Sequence, residues 1–331
     1  MKNVKAMWRQ ICELVFVLAL AAVFIVMKWW IPLIIEGCVV LVIIVFLSNL
    51  MVTLVLKRKT PILTGTEGTE NLKDTVRDAV VWLESGELWE QTSEDGLLLK
   101  GRFLKKEGSH TYALCCHGYR NDRLQDISNQ ARKFYEWGHN VFAGHARGHG
   151  RSEGRYIGMA CRERRDIAGW IRRIVEMDPE ARIFLYGVSM GGATVMTTSG
   201  EDLPDNVRCA IEDCGYSSIW NEFSYKIGDE YGLPVFPILN ISQMFSRMRY
   251  GFGFREYSAL DQLKKTKLPF LFIHGDRDTF VSYDMLRPVY EACASEHKKM
   301  VTIEGARHAE AYQVDPERYW QEVSEWLAKY L

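Results

Sequence analysis

One-sided charge is missing from this sequence: 41 Lys and Arg face 42 Asp and Glu, for a formal net charge of −1. That balance points to no particular partner, and nothing in the chain resembles a nucleic-acid module, so a nucleic-acid partner is excluded. The densest basic group, Arg162, Arg164, Arg165, Arg172 and Arg173, falls on one helical stretch but is interleaved with Glu163, Asp166 and Glu176. This is the pattern of a solvated face rather than of a contact with lipid headgroups. Metal-type spacing is missing too: there is no H-E-x-x-H, no cysteine pair at zinc spacing, and no ligand-type partner for His145 or His149. Neither a metal nor another cofactor is expected. The eight cysteines form no disulfide framework. Cys12 and Cys38 lie in apolar runs, Cys115, Cys116, Cys209 and Cys214 in or at the end of strand-like segments, and Cys161 and Cys293 in helical ones. That distribution suits reduced thiols and a cytosolic domain. No internal repeat is present, which excludes a solenoid.

What is abundant is apolar sequence at the front. The 331 residues and 47% hydrophobic content allow one large domain plus accessories. Residues 8–27 and 37–56 each form a run of about 20 predominantly apolar residues, the length that crosses a bilayer as a helix. The first run carries Arg9 and Glu13 near its start; the second carries no charge. Between them, Lys28-Trp29-Trp30-Ile31-Pro32-Leu33-Ile34-Ile35-Glu36 has the paired tryptophans, lysine and proline of a tight turn at a membrane interface. Residues 1–59 are therefore expected to be a membrane anchor built as a transmembrane helical hairpin. Lys2, Lys5 and Arg9 precede it and Lys57, Arg58 and Lys59 follow it, with only Lys28 in the turn, which predicts that both ends and the domain beyond face the cytoplasm. Two other readings stay open. One is a cleaved signal peptide over residues 1–27, helped by Ala19-Leu20-Ala21 but opposed by the apolar run beyond it; the other is a single span with an external domain.

The chemistry is concentrated further on. Gly187-Val188-Ser189-Met190-Gly191 follows the apolar run Ala181–Tyr186 and precedes the helix-like Gly192–Met196. A G-x-S-x-G turn between strand and helix holds its serine exposed above the sheet, and glycines flank it because side chains there would strike neighbouring backbone. The alternative is an ordinary strand-to-helix turn. A nucleophilic serine also needs a base and an orienting acid. Downstream, Phe270–Ile273 leads into His274-Gly275-Asp276-Arg277-Asp278, and Met300–Ile303 leads towards Gly305-Ala306-Arg307-His308, giving the order Ser, Asp, His.

With His117-Gly118-Tyr119 after one strand and Arg147-Gly148-His149-Gly150-Arg151-Ser152 after another, the chain resembles the α/β-hydrolase superfamily over roughly residues 85–331. More narrowly, Tyr156-Ile157-Gly158-Met159 and Gly305–Tyr312 resemble membrane-anchored bacterial serine hydrolases of the esterase, lipase and serine aminopeptidase kind. The resemblance implies that Ser189 is the nucleophile, His308 the general base and acid, and Asp278 the residue that fixes the imidazole tautomer, with Asp276 the rival acid. It places the oxyanion hole at the backbone N–H groups of Tyr119 and Met190, and leaves His117 to shape its loop. One departure is visible: where relatives usually carry an Asp two residues before the Arg-Gly-His-Gly, this chain has His145. The hydrogen bonding of that loop therefore does not carry over from the family.

Residues 60–84 are expected to be a polar linker, over 60–75, and a leading helix near 72–84. Strands are expected near 88–92, 97–104, 111–116, 140–145, 182–187, 207–213, 269–274 and 299–304, with helices near 123–137, 161–177, 190–199, 283–296 and 315–330. Alternation from residue 111 onward predicts βαβ units, a mostly parallel sheet and helices on both faces, with a hairpin from the first two strands. Residues 216–262 break the rhythm with an aromatic-rich insertion, which the superfamily resemblance makes a cap over the active site. The expected function is cleavage of a carboxylic ester, thioester or amide through an acyl-enzyme, on a small-molecule or lipid-like acyl substrate. Acyl transfer to an alcohol or amine, or a catalytically silent membrane scaffold, are the alternatives.

Overall fold

The computed structural model describes residues 2–58 and 73–331, with side chains of the first segment described from Gln10 onward. It opens on α1 (Lys2–Leu56). After α2 (Asp74–Glu84) come β1 (Glu87–Thr92), β2 (Leu98–Leu104), β3 (Thr111–Cys116), α3 (Ser128–Glu136), β4 (Asn140–Gly144), α4 (Glu163–Met177), β5 (Arg182–Val188), α5 (Met190–Thr198) and β6 (Val207–Asp213). Then α6 (Ile219–Tyr225), a π-helical turn (Lys226–Glu230), α7 (Val235–Tyr250) and α8 (Ala259–Leu263) intervene. The chain ends on β7 (Phe270–Gly275), α9 (Leu286–Ala292), β8 (Lys298–Ile303), α10 (Ala311–Val314) and α11 (Pro316–Tyr330).

The strands form one sheet in the order β1-β2-β4-β3-β5-β6-β7-β8. The β1–β2 and β2–β4 pairs are antiparallel, and every later pair is parallel. Parallel strands covered on both faces read as continuous apolar runs, and their side chains still alternate between faces. Leu114, Phe142, Leu185 and Phe272 point to the side occupied by α4–α8. Ala113, Val141, Phe184 and Ile211 point to the side covered by α3 and α11. The expected α/β-hydrolase fold and mostly parallel sheet are what the structure has. The loops at the carboxyl ends of the parallel strands carry His117, His145, Ser189, Asp278 and His308, the place where open α/β sheets bind ligands.

The front of the chain differs from expectation. Instead of two helices and a turn, α1 runs unbroken through Lys28–Glu36 and past Pro32. Pro32 removes one donor from the helix interior, but the segment has no Gly, Asn or Asp to take a left-handed or capping conformation beside it, so a single proline does not end the helix. At 55 residues the rod is about 80 Å long, more than twice the ~30 Å of a bilayer's hydrocarbon. The expected second span is also divided. Residues from Gly37 to Phe46 are largely exposed, whereas Ser48, Val52 and Leu56 are buried against the hydrolase domain, chiefly under α7. Most of the linker expected at 60–75 lies outside the described residues.

Candidate active site

Ser189 sits at the turn from β5 to α5 with φ 57° and ψ −119°, a conformation that L-residues adopt only under constraint. The constraint is close packing of backbone on backbone. A Cβ on Gly187 would lie 2.2 Å from the Gly191 carbonyl oxygen, and one on Gly191 would lie 2.0 Å from that of Cys116. Only glycine allows β5, α5 and β3 to approach so closely, and the bend presents the serine hydroxyl to the space above the sheet.

The structure brings Ser189, His308 and Asp278 together. His308 Nε2 lies 2.9 Å from Ser189 Oγ, and His308 Nδ1 lies 2.7 Å from Asp278 Oδ2. With the Nδ1 proton donated to the carboxylate, Nε2 is left as the acceptor for the serine hydroxyl. Asp278 is itself held firmly: its Oδ1 accepts from the N–H groups of Phe280 and Val281 at 2.9 and 3.0 Å, and Oδ2 also faces His274 Nε2 at 3.1 Å. Burial alone would raise this carboxyl, but the hydrogen bonds of His274 and His308 outweigh it and hold it down at about 2. Asp276 does different work. Its Oδ1 accepts from Gly305 N at 2.7 Å, tying the β7 loop to the β8 loop.

Met190 is the first residue of α5, so its N–H has no acceptor within its own helix. Across from it, a Cβ on Gly118 would come within 3.4 Å of Ser189 Cβ, which places the backbone just before Tyr119 beside Ser189. Four groups hold that loop. Gly118 N donates to Asp126 Oδ2 at 2.6 Å, and Arg120 N donates to His149 Nε2 at 3.0 Å. His117 donates from Nδ1 to the Gly118 carbonyl at 2.7 Å and accepts from Ala146 N at 2.9 Å. The Tyr119 hydroxyl donates to the Val55 carbonyl at 2.7 Å. Burial lowers the affinity of both His117 and His149 for a second proton, which keeps each ring able to accept as well as donate.

His145 replaces the expected aspartate without inheriting its hydrogen bonds. Both ring nitrogens are buried without a partner, and the backbone bonds instead: the amide donates to the Lys100 carbonyl at 2.9 Å, and the carbonyl accepts from Ser152 Oγ at 2.6 Å. The loop is secured by its neighbour Arg147, whose buried guanidinium contacts Asp95 and Asp166 at 2.7 Å each.

A cavity of about 590 Å³ opens over Ser189. Phe223, Ile227, Leu233 and Ile238 from the 216–262 insertion form part of its wall, with Phe280 and Val281 beside Asp278. Glu222 also lines it, with one carboxyl oxygen buried and without a partner, and its pKa pushed up to about 8 by burial against the opposing pull of Lys226. Sequence reasoning missed Glu222 and His274 as site residues: Glu222 stands in no motif, and the His274–Asp278 motif assigns a role only to its aspartates. Nor did it show that Leu47, Leu50, Met51, Leu54 and Val55 of α1 complete the cavity wall, because that contact spans more than a hundred residues. Cys214, Asp278 and His308 offer donor atoms within 4.8 Å of one another. The two nitrogens of His308 are already engaged, and burial holds the Cys214 thiol protonated, so the group does not fit a metal.

This elbow on this sheet defines a serine hydrolase of the α/β-hydrolase class. The chain belongs to the family described as serine aminopeptidase, S33, whose model matches residues 109–222 and 241–312, more than half of the chain. It is similar to "Uncharacterized protein YqkD" of Bacillus subtilis (strain 168), 27% identical over 250 residues that cover 74% of this chain and 81% of that one. It is also similar to "Uncharacterized protein YfhR" of Escherichia coli O157:H7, 23% identical over 237 residues covering 69% and 75%. Among solved structures, the esterase Pf2001 of Pyrococcus furiosus shares the fold with a TM-score of 0.63 and 24% identity, over 83% of this chain and 98% of that one. Est1E from Butyrivibrio proteoclasticus, solved with ferulic acid bound, shares it with a TM-score of 0.56 and 19% identity, over 71% and 97%.

Proposed function

We propose that this serine hydrolase is held at a membrane by α1 and cleaves a carboxylic ester through an acyl-enzyme on Ser189. The observation that carries this reading is the hydrogen-bonded line from Ser189 Oγ through His308 to the buried Asp278 carboxylate, at 2.9 and 2.7 Å, beneath a largely apolar cavity. His308 takes the serine proton as Oγ attacks the ester carbonyl, and the oxyanion forms between the N–H groups of Tyr119 and Met190. The protonated imidazole, stabilised by Asp278, then gives its proton to the leaving alcohol, and water releases the acid by the same route. Ester cleavage suits the cavity better than removal of an amino-terminal residue. A substrate ammonium calls for an unpaired carboxylate, whereas burial favours the neutral form of Glu222, and Glu230, the other acid on the cavity wall, is paired with Lys226 at 2.5 Å.

The membrane part of the reading rests on the length and exposed apolar surface of α1. Cytoplasmic placement of the domain follows from a hairpin, and one continuous helix removes its basis. The basic residues now flank opposite ends of a single element, and Arg58 is bonded into the domain through the Gly150 and Ser152 carbonyls at 2.6 Å.

The test is a fluorophosphonate probe on the full chain, followed by esters and peptide amides of graded size. Wild type should be labelled and should turn over esters, whereas Ser189→Ala should do neither while keeping its thermal transition. Undiminished labelling of Ser189→Ala would remove Ser189 as nucleophile, and an unlabelled wild type would favour the silent scaffold.

A further inference from the structure

We infer that the last three turns of α1 belong to the substrate site, and that the substrate is an ester whose acyl chain passes from the bilayer into the cavity along that helix. This rests on the ester-hydrolase reading and extends it to a substrate class. The first observation is the wall itself. Leu47, Leu50, Met51, Leu54 and Val55 recur at helical spacing on one side of α1, and all five line the cavity that contains Ser189. They lie outside the residues that match the family, so this wall is a feature of the chain rather than of the matched fold.

The second observation is that α1 is docked by a built interface. A helix leaves its last four carbonyls without partners inside the helix. In α1 all four are satisfied: Thr53 accepts from Lys57 N at 3.3 Å, Leu54 from Arg120, Val55 from the Tyr119 hydroxyl at 2.7 Å, and Leu56 from Ile157 N at 2.7 Å. Two of the donors are consecutive residues of the loop proposed to hold the oxyanion, and the Arg120 guanidinium also places positive charge at the negative end of the helix. One turn earlier, Ser48 Oγ donates to the Ile238 carbonyl at 3.0 Å and Ser242 Oγ donates to the Ser48 carbonyl at 3.2 Å.

The third observation is continuity. Leu50 and Leu54 are 38% and 47% exposed although they line the cavity, so they stand at its mouth. The face they occupy continues upstream through Ile43 and Phe46, both exposed and apolar, in the part of α1 that the membrane reading places in lipid. On the other side of the mouth, Tyr231, Leu233 and Phe280 are likewise exposed. An acyl chain moving along this face keeps an apolar wall beside it from bilayer to Ser189, with the charged groups of the cavity, Arg120, Lys226 and Glu230, contributed by other elements, while a water-soluble substrate gains nothing from it. Ser189 Oγ receives the ester end, and Glu222 lines the cavity wall beside Phe223.

The experiment uses the full chain in phosphatidylcholine vesicles and esters of one alcohol with acetyl, octanoyl and dodecanoyl groups. Leu54→Trp narrows the passage beside α1 and should lower the dodecanoyl-to-acetyl ratio of kcat/KM at least 10-fold. Leu54→Ala, which introduces no clash, should move the preferred acyl length upward. For wild type, dodecanoyl ester cleavage at fixed total concentration should follow the ester's mole fraction in the vesicles. Ratios unchanged in both variants would overturn the α1 wall, and a rate indifferent to mole fraction would overturn the bilayer route. A wild type that cleaves no ester removes the hydrolase reading and this inference with it, whereas one that cleaves esters of every length, with indifferent Leu54 variants, removes this inference alone.

Discussion

The Tyr119 hydroxyl reaches the Val55 carbonyl across 2.7 Å, joining the loop beside Ser189 to the last turn of an apolar helix more than sixty residues upstream. The backbone N–H proposed to stabilise the oxyanion and the side chain that fixes its position thus belong to one residue. Removing the hydroxyl leaves the donor in place and loosens only its support. Tyr119→Phe should therefore lower kcat roughly 3- to 10-fold with KM nearly constant, the effect of losing a hydrogen bond of about 1 kcal/mol that positions a transition-state contact. Steady-state kinetics at saturating ester checks this, and an unchanged kcat would show that the tether does not position the loop.

The two aspartates after His274-Gly275 make different bonds, and their amides should behave differently. Asp278→Asn turns the partner of His308 Nδ1 from an obligate acceptor into a group that favours the wrong tautomer, so kcat should fall on the order of 10³- to 10⁴-fold. Asp276→Asn keeps a side-chain oxygen able to accept from Gly305 N, so it should cost less than about 3-fold. Reversed ranking in single-turnover assays would move the acid to Asp276.

Local signals in the sequence account for most of the fold. The buried runs of β3, β5, β6 and β7 and the amphipathic spacing of α4 and α11 are visible from neighbouring residues, and the structure places the elements within a few residues of the expected positions, α3 starting latest. The Gly-Val-Ser-Met-Gly turn shows its purpose for the same reason: its glycines respond to contacts that any such turn must make. What was not legible depends on tertiary contact. In Leu47-Ser48-Asn49-Leu50 the leucines read alike in a lipid-facing helix and in one pressed onto α7, and the partners of Ser48 and Asn49, the Ile238 carbonyl and Arg249, lie 190 and 200 residues further along the chain. Pro32 reads as a break only if its neighbours also favour leaving the helix, and they do not. His145 shows the converse: its side chain suggested a changed network, whereas the loop is held by its backbone and by Arg147.

Gly191 should tolerate nothing larger. A Cβ there meets the Cys116 carbonyl oxygen at 2.0 Å, and that atom belongs to the backbone of β3 in the centre of the sheet, where no side-chain rotation relieves the clash. Gly191→Ala should destabilise the domain by about 3 kcal/mol or more, at the severe end of overpacking. Urea unfolding followed by tryptophan fluorescence provides the measurement, and a midpoint equal to that of wild type would mean that α5 can move away from β3.

Glu222 gives the site a pH dependence of its own. Its carboxyl is raised to about 8 by burial, with Lys226 opposing and the charges of Asp278 and Glu230 reinforcing the shift. In the unfolded chain it titrates near 4.5. Between these values the folded protein holds a proton that the unfolded chain has lost, so this residue makes stability fall as pH rises from about 4.5 to 8 and adds no further slope beyond. The same titration changes the cavity: below pH 8 the group is a neutral acid able to donate a hydrogen bond, and above it a carboxylate faces the acyl chain. KM for a long-chain ester should therefore rise above pH 8 in wild type. Glu222→Gln, neutral throughout, should lose that rise and show a shallower decline in unfolding free energy between pH 5 and 8. If the glutamine variant keeps the alkaline rise in KM, the titrating group lies elsewhere and Glu222 has no part in substrate binding.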